Sequence, residues 1–234
     1  MSGHSHWSTI KRKKEANDQE KGRLFAKLTR EIMLAISEGG GVADPNKNVR
    51  LRAAIEKAKE GNMPKENISR LIDRLKLRAE AVTEVVYEAL GPDPVTFIIK
   101  TATDNSRRTQ TDLRIILEKN GGKLVEKGGA MHNYDLRCLF TIEGVSEEEI
   151  LKLIESLSAI DFEKVGETDY IYVPYTQFSE AWSKARELGF KQTPELVYKA
   201  KLAVEISPEE EARVQELIEK LEEVDEVTAV FVNL

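Results

Sequence analysis

Two imidazoles (His4, His6), an indole (Trp7), four hydroxyls and the cationic run Lys11, Arg12, Lys13, Lys14 stand together within the first fourteen residues. Together these groups suit a polyanion. Ammonium and guanidinium groups neutralise phosphates and release counterions, hydroxyls donate to phosphate oxygens, and an indole face accepts a stacked base. A plain solvated terminus has the same look, because basic runs are usually just exposed charge.

Two further sets of cations recur at helical spacing. Arg23, Lys27 and Arg30 fall at i, i+4 and i+7, and Arg70, Arg74 and Arg78 at i, i+4 and i+8, so each set forms a stripe along one helix side. Like charges so placed repel by a few tenths of a kcal/mol per pair, which a solvated face tolerates and bound phosphates would remove. Arg107 and Arg108 follow the capping residues Asp104, Asn105 and Ser106, which predicts both arginines in a first helical turn. A cation there opposes the helix dipole by about 0.3–1 kcal/mol. Helix amides, two guanidiniums and Arg114 one heptad later would form an anion site; otherwise both side chains reach water or a carboxylate.

Catalytic constellations are poor by comparison. Gly39-Gly40-Gly41 neither follows a strand nor precedes Gly-Lys-Ser/Thr, so it reads as a helix terminus and not as a phosphate-binding loop. Glu147 to Glu149 and Glu209 to Glu211 sit where helices begin and suit the positive end of the dipole. With three histidines and one cysteine in the chain, no nucleophile–base arrangement emerges, and neither catalysis nor a cofactor or metal is expected. Cys138 alone makes no intramolecular disulfide, and in the alternating stretch Leu136 to Ile142 it reads as strand packing.

The elements that would carry these residues follow from periodicity. Leu24, Phe25, Leu28, Ile32, Ala35 and Ile36 mark a first helix stopped by the glycine triplet; Leu51, Ala54, Ile55 and Ala58 mark a second; Ile68, Leu71, Ile72 and Leu75 mark a third, begun at Pro64. After Ala81 strands and helices alternate. A hairpin over 85–101 comes first, then a helix around Leu113 to Leu117 and a strand pair near 123–125 and 136–142. A helix over 146–158, a strand over 168–173, a helix over 176–188 and a strand over 198–205 follow, and a helix over 208–223 and a strand over 227–232 close the chain. This predicts an α+β fold in three domains: a basic arm with a three-helix bundle (1–80), a discontinuous α+β domain (81–135 with 206–234) and an inserted α+β domain (136–205), the latter two ferredoxin-like.

Charge is segregated along the same lines. Residues 1–80 carry 18 Lys and Arg against 11 Asp and Glu, and residues 81–234 carry 17 against 30, net +7 and −13. A nucleic-acid binder gains from a cationic face beside an acidic remainder that limits indiscriminate sticking. No apolar run approaches the roughly 18 residues of a membrane span, and the first residues lack the apolar core of a secretory signal, which leads us to expect a cytoplasmic protein.

Several strings together resemble the YebC/PmpR family, which includes a mitochondrial translational activator of cytochrome oxidase. They are Gly3 to Lys11, Phe25 to Leu28, Asn48 to Arg52 with Ala54 to Ala58, Asn62 to Ile68, Tyr87 to Pro92, Thr103 to Asn105, Lys119 to Gly122 and Val224 to Val227. The resemblance implies a helical first domain, two α+β domains around a cleft, and no enzymatic activity. It also implies a nucleic-acid partner: DNA, for a transcriptional regulator, or ribosomal RNA on the ribosome, for a translation factor that eases stalled synthesis. No membrane or small-molecule substrate is implied. By position the contacts are His4, Trp7, Lys11, Arg12, Lys13 and Lys14 in the arm, Lys27 and Arg30 in the first helix, Arg50, Arg52 and Lys65. Arg23, Arg107 and Arg108 join them on the charge argument above.

Overall fold

The structure, a computed structural model, describes residues 18–77, 82–92, 94–190 and 193–234. Helix α1 (Asp18–Glu38) buries Leu28, Ile32, Ala35 and Ile36 along one face. It stops because Gly40 and Gly41 adopt φ of +68° and +81°, a left-handed pair that only glycine takes without strain. Helix α2 (Val49–Glu60) begins at Asn48, whose buried side chain accepts from the Leu51 amide at 3.0 Å and donates to Ala35 O (2.8 Å) and Val42 O (3.0 Å). One side chain therefore caps α2 and pins it to the end of α1. Helix α3 (Lys65–Leu77) adds Ile68, Leu71 and Leu75 to a core that continues into Val82 and Ala102.

Beyond the bundle stand two antiparallel four-stranded sheets. The first has the order β3-β1-β2-β8, from β1 (Thr83–Leu90), β2 (Thr96–Thr103), β3 (Lys123–Val125) and β8 (Val227–Val232). Helices α4 (Ser106–Lys119) and α7 (Pro208–Glu222) cover one face, packing Leu113, Leu117, Val214 and Leu217 on Phe97, Ile99 and Val230. The second sheet has the order β5-β6-β4-β7, from β4 (Tyr134–Glu143), β5 (Asp161–Val165), β6 (Thr168–Pro174) and β7 (Glu195–Ala200), and its chain order β-α-β-β-α-β is the ferredoxin-like plan. Its helices α5 (Glu147–Ser156) and α6 (Phe178–Glu187) pack Ile150, Leu153, Ala181 and Ala185 on Phe140, Ile171 and Val173. Because side chains alternate across a strand, the opposite faces are free to meet. Ile98 and Phe231 from the first sheet pack with Leu139, Tyr170, Tyr172 and Val197 from the second, so helices lie outside and sheets inside.

Three sequence expectations change. The strands near 123–125 and 136–142 do not pair with each other: β3 joins β1, and β4 lies between β6 and β7. The strand expected over 198–205 occupies Glu195–Ala200 instead, because the chain after it leaves for the first unit, where Val204 N donates to Asn233 O at 2.8 Å and Val204 and Ile206 join the α4/α7 core. Strand β5 was not expected from the sequence at all; it is an edge strand whose exposed Asp161 and Lys164 mask its alternation.

The crossing from the first sheet to the second is fastened by Glu88. This buried carboxylate on β1 accepts from the amides of Gly128 (2.7 Å), Ala130 (2.8 Å) and Met131 (2.7 Å). Burial alone would raise its pKa, yet the three amides more than offset that and hold the carboxyl below its ordinary range.

Candidate nucleic-acid interface

The arm residues His4, Trp7, Lys11, Arg12, Lys13 and Lys14 lie outside the described residues, as does Arg78. The other candidates fall into three groups that differ in what faces them.

The first group is on α1 and at the start of α4. Arg30 donates from Nη1 to Ala102 O at 3.1 Å, and its Nη2 lies 3.4 Å from Glu226 Oε1. The same oxygen accepts from Arg108 Nη2 at 2.9 Å, and Arg108 also reaches Asp104 Oδ1 at 2.8 Å. Arg23 pairs with Glu223 at 3.1 Å. The segment joining α7 to β8 therefore lays two carboxylates on the α1 stripe. Lys27 lies between them on the same helix, half-buried.

This network also revises the reading of Arg107 and Arg108. Asn105 caps α4 by accepting from Arg108 N at 3.1 Å, so both arginines do occupy the first turn. Arg108, however, meets its unfavourable dipole with carboxylates built into the fold, while Arg107 beside it is exposed. Glu226, 118 residues further along, could not be linked to this turn from local pattern.

The second group braces the bundle. Arg52 donates from Nε to Pro45 O (3.0 Å) and from Nη2 to Asn46 O (3.3 Å), which holds the loop before α2. Arg50 pairs with Glu38 and keeps an exposed side chain. Lys65, at the start of α3, is exposed. Lys57 belongs to neither cationic stripe. It lies between Glu31 (3.0 Å) and Glu195 (3.3 Å) and, with Glu56–Arg186 (3.7 Å) and the Thr193 amide and hydroxyl on Glu60 (each 3.2 Å), ties α2 to the second sheet. Burial opposes the Lys57 charge, but the two glutamates outweigh it and raise the ammonium pKa.

The third group lines an open groove of about 280 Å³ between α1 and α3, formed by Thr29, Asn67, Arg70, Leu71 and Arg74. Among the described residues, no carboxylate is part of the lining.

Among the described residues, no group of three or more His, Cys, Asp and Glu side chains is placed to hold a metal ion, and no helix is long and apolar enough to cross a membrane. Cys138 is buried within β4, and burial pushes its thiol up to about 12.

Comparison with known proteins adds independent findings. Residues 5–77 match a family profile described as the TACO1/YebC protein N-terminal domain, and residues 82–234 match one described as the TACO1/YebC second and third domain. The chain is 38% identical over 240 residues to a protein of Thermoanaerobacter pseudethanolicus named "Probable transcriptional regulatory protein Teth39_1009", covering all of this chain and 97% of that one. It is 39% identical over 241 residues to a Chloroflexus aggregans protein named "Probable transcriptional regulatory protein", covering all of this chain and 95% of that one. Its fold is similar to the crystal structure of the conserved hypothetical protein Aq1575 from Aquifex aeolicus, with a TM-score of 0.88, 35% identity, and coverage of 98% of this chain and 96% of that one.

Proposed function

The chain belongs to the TACO1/YebC family, and on that footing we propose that it is a non-enzymatic, cytoplasmic regulator of transcription that binds DNA through its basic N-terminal module. Residues 1–80 form that module in this reading, and residues 81–135 with 206–234 and residues 136–205 form two acidic α+β domains behind it. The observation that carries the reading is the separation of charge, net +7 in residues 1–80 against −13 in the rest, together with a helical bundle that has its own core. Cations gathered on one folded unit give a phosphate-binding face, and the acidic remainder limits contact with nucleic acid elsewhere.

The arm through His4, Trp7 and Lys11 to Lys14 tracks the phosphate backbone, and Arg50, Lys65 and Arg107 extend the cationic surface. Most of these groups donate to phosphates and do not read base edges, so binding is weakly specific or shape-based. The test is ultraviolet crosslinking in living cells, followed by sequencing of the attached DNA and RNA, with a deletion of residues 2–14 as control. Discrete promoter DNA that disappears on deleting the arm is the expected result. Ribosomal RNA clustered near one functional centre would replace this reading with that of a translation factor.

A further inference from the structure

The bundle meets the rest of the chain in two chemically different ways. Toward the first sheet its core runs on into Val82 and Ala102, and Arg30 adds a hydrogen bond to the Ala102 carbonyl at 3.1 Å. Toward the second sheet, that core takes in no residue of 136–205 among the described residues, and the ties are polar. Lys57 reaches Glu195 at 3.3 Å, Glu56 reaches Arg186 at 3.7 Å, and Glu60 accepts from the Thr193 amide and hydroxyl at 3.2 Å each. We propose that these contacts form an ionic latch, and that the bundle is a movable module which swings about Val82 and Ala102 when the latch opens.

The two sheets supply the contrast of a rigid junction. Ile98 and Phe231 pack with Leu139, Tyr170, Tyr172 and Val197, and Glu88 binds three amides of the crossing. Burial of that kind does not depend on attraction between charges. The latch does. Its Lys57, Glu195 and Arg186 side chains keep 32%, 37% and 52% of their surface in water, where salt screens the attraction and ordering long side chains offsets it. Units joined by a polar interface move relative to one another unless a large apolar contact prevents it. Opening also strands neither cation: Lys57 keeps Glu31 at 3.0 Å within the bundle, and the Arg186 guanidinium keeps its place 5.8 Å from the centre of the Trp182 ring. Closure has a defined register, because Glu56 and Lys57, neighbours of opposite sign, each meet a partner of opposite sign.

The experiment measures distances in the full chain by double electron–electron resonance. Spin labels at Lys59→Cys on α2 and Ser183→Cys on α6, both exposed positions, report the latch, while labels at Lys119→Cys on α4 and Ser183→Cys report the two sheets. Cys138 is buried and stays unlabelled. At about 0.05 M salt each pair should give one distance. At about 1 M salt, where the screening length falls to about 3 Å, the 59–183 pair should gain a longer distance. Its share should rise several-fold from less than about a tenth of the molecules, while the 119–183 distance stays fixed. Glu56→Gln combined with Glu195→Gln should show the longer distance already at low salt, with an unchanged circular dichroism spectrum. A 59–183 distance that ignores the salt, a measurement that needs no latch variant, overturns the latch, and so does one that ignores the double substitution in a folded chain. An equal change in the 119–183 pair overturns the swing, because the sheets would then part while the bundle stayed in place.

Discussion

The stripes on α1 and α3 carry similar cations at similar spacing, yet the fold treats them in opposite ways. Arg23 and Arg30 lie against Glu223 and Glu226, and Arg108 joins the same carboxylate from a third element. Arg70 and Arg74 line a groove with Thr29, Asn67 and Leu71, and no acid is among the described residues of its wall. The helices themselves do not account for the difference; what packs over them does. The turn between α7 and β8 returns to the bundle from more than a hundred residues away and covers α1, while α3 keeps its cationic face to solvent. A stripe of cations is therefore half of an interaction, and on α1 tertiary placement supplies the other half as carboxylates from a segment distant in sequence.

Removing the carboxylate that two arginines share breaks this contrast most directly. Glu226 is mostly buried, and Glu226→Ala removes the carboxylate that Arg30 and Arg108 share, leaving Arg30 only the Ala102 carbonyl and Arg108 only Asp104. We expect it to cost about 2–4 kcal/mol, as removal of one partner from a buried charged network does. Urea unfolding of the variant against wild type checks the magnitude. In the same variant the α1 stripe becomes available, so the salt slope for nucleic acid should steepen.

Glu88 sharpens the comparison because it is a buried carboxylate satisfied by amides and not by cations. Its folded pKa lies below the ordinary 4.5, so its contribution to stability is complete above that value and is lost as pH falls through the folded value. Wild type should therefore lose stability on acidification below about pH 4.5, and Glu88→Gln should flatten that part of the profile. At neutral pH the same variant should cost about 1–3 kcal/mol, since one of the two accepting oxygens becomes an NH2 that cannot accept, leaving either the Gly128 amide or the Ala130 and Met131 amides without a partner. Its salt slope for nucleic acid should match wild type, because Glu88 faces neither stripe; a changed slope would mean that the crossing between the sheets also orients the bundle.

Much of this architecture could be read before folding. The spacing of Leu28, Ile32 and Ile36 predicts α1, the glycine triplet predicts its end, and the helices expected over 146–158 and 208–223 begin in the structure at capping boxes of Ser146 with Glu149 and Ser207 with Glu210. These signals are local: a cap or a periodic face is complete within a few residues. The site was less legible, because its character is set by pairings distant in sequence. Nothing near Arg108 points to Glu226, and nothing near Lys57 points to Glu195. Strand β5 escaped for a related reason, since an edge strand with Asp161, Glu163 and Lys164 satisfies its charges sideways, with Lys199 reaching Asp161 and Glu163 at 2.5 and 2.6 Å. Glu88 stood inside a recognisable string, Tyr87 to Pro92, but its role appears only when the backbone of 128–131 is brought to it.

The smallest expected effect is also the one that tests whether exposure or partnership governs the stripes. Arg23 has a carboxylate partner, as Arg30 does, but both Arg23 and Glu223 keep about half of their side-chain surface in water (49% and 53%). In that setting the Coulomb gain is screened and offset by the entropy of holding two long side chains, so Arg23→Gln should change stability by less than about 1 kcal/mol. If partnership alone withheld a cation from phosphate, the substitution would leave nucleic-acid binding untouched. If the pair opens readily, as its exposure implies, Arg23 exchanges Glu223 for a phosphate, and the variant lowers the salt slope while barely moving the unfolding midpoint. The result therefore separates a cation held in reserve by a weak internal acid from one, such as Arg30, whose carboxylate partner is mostly buried.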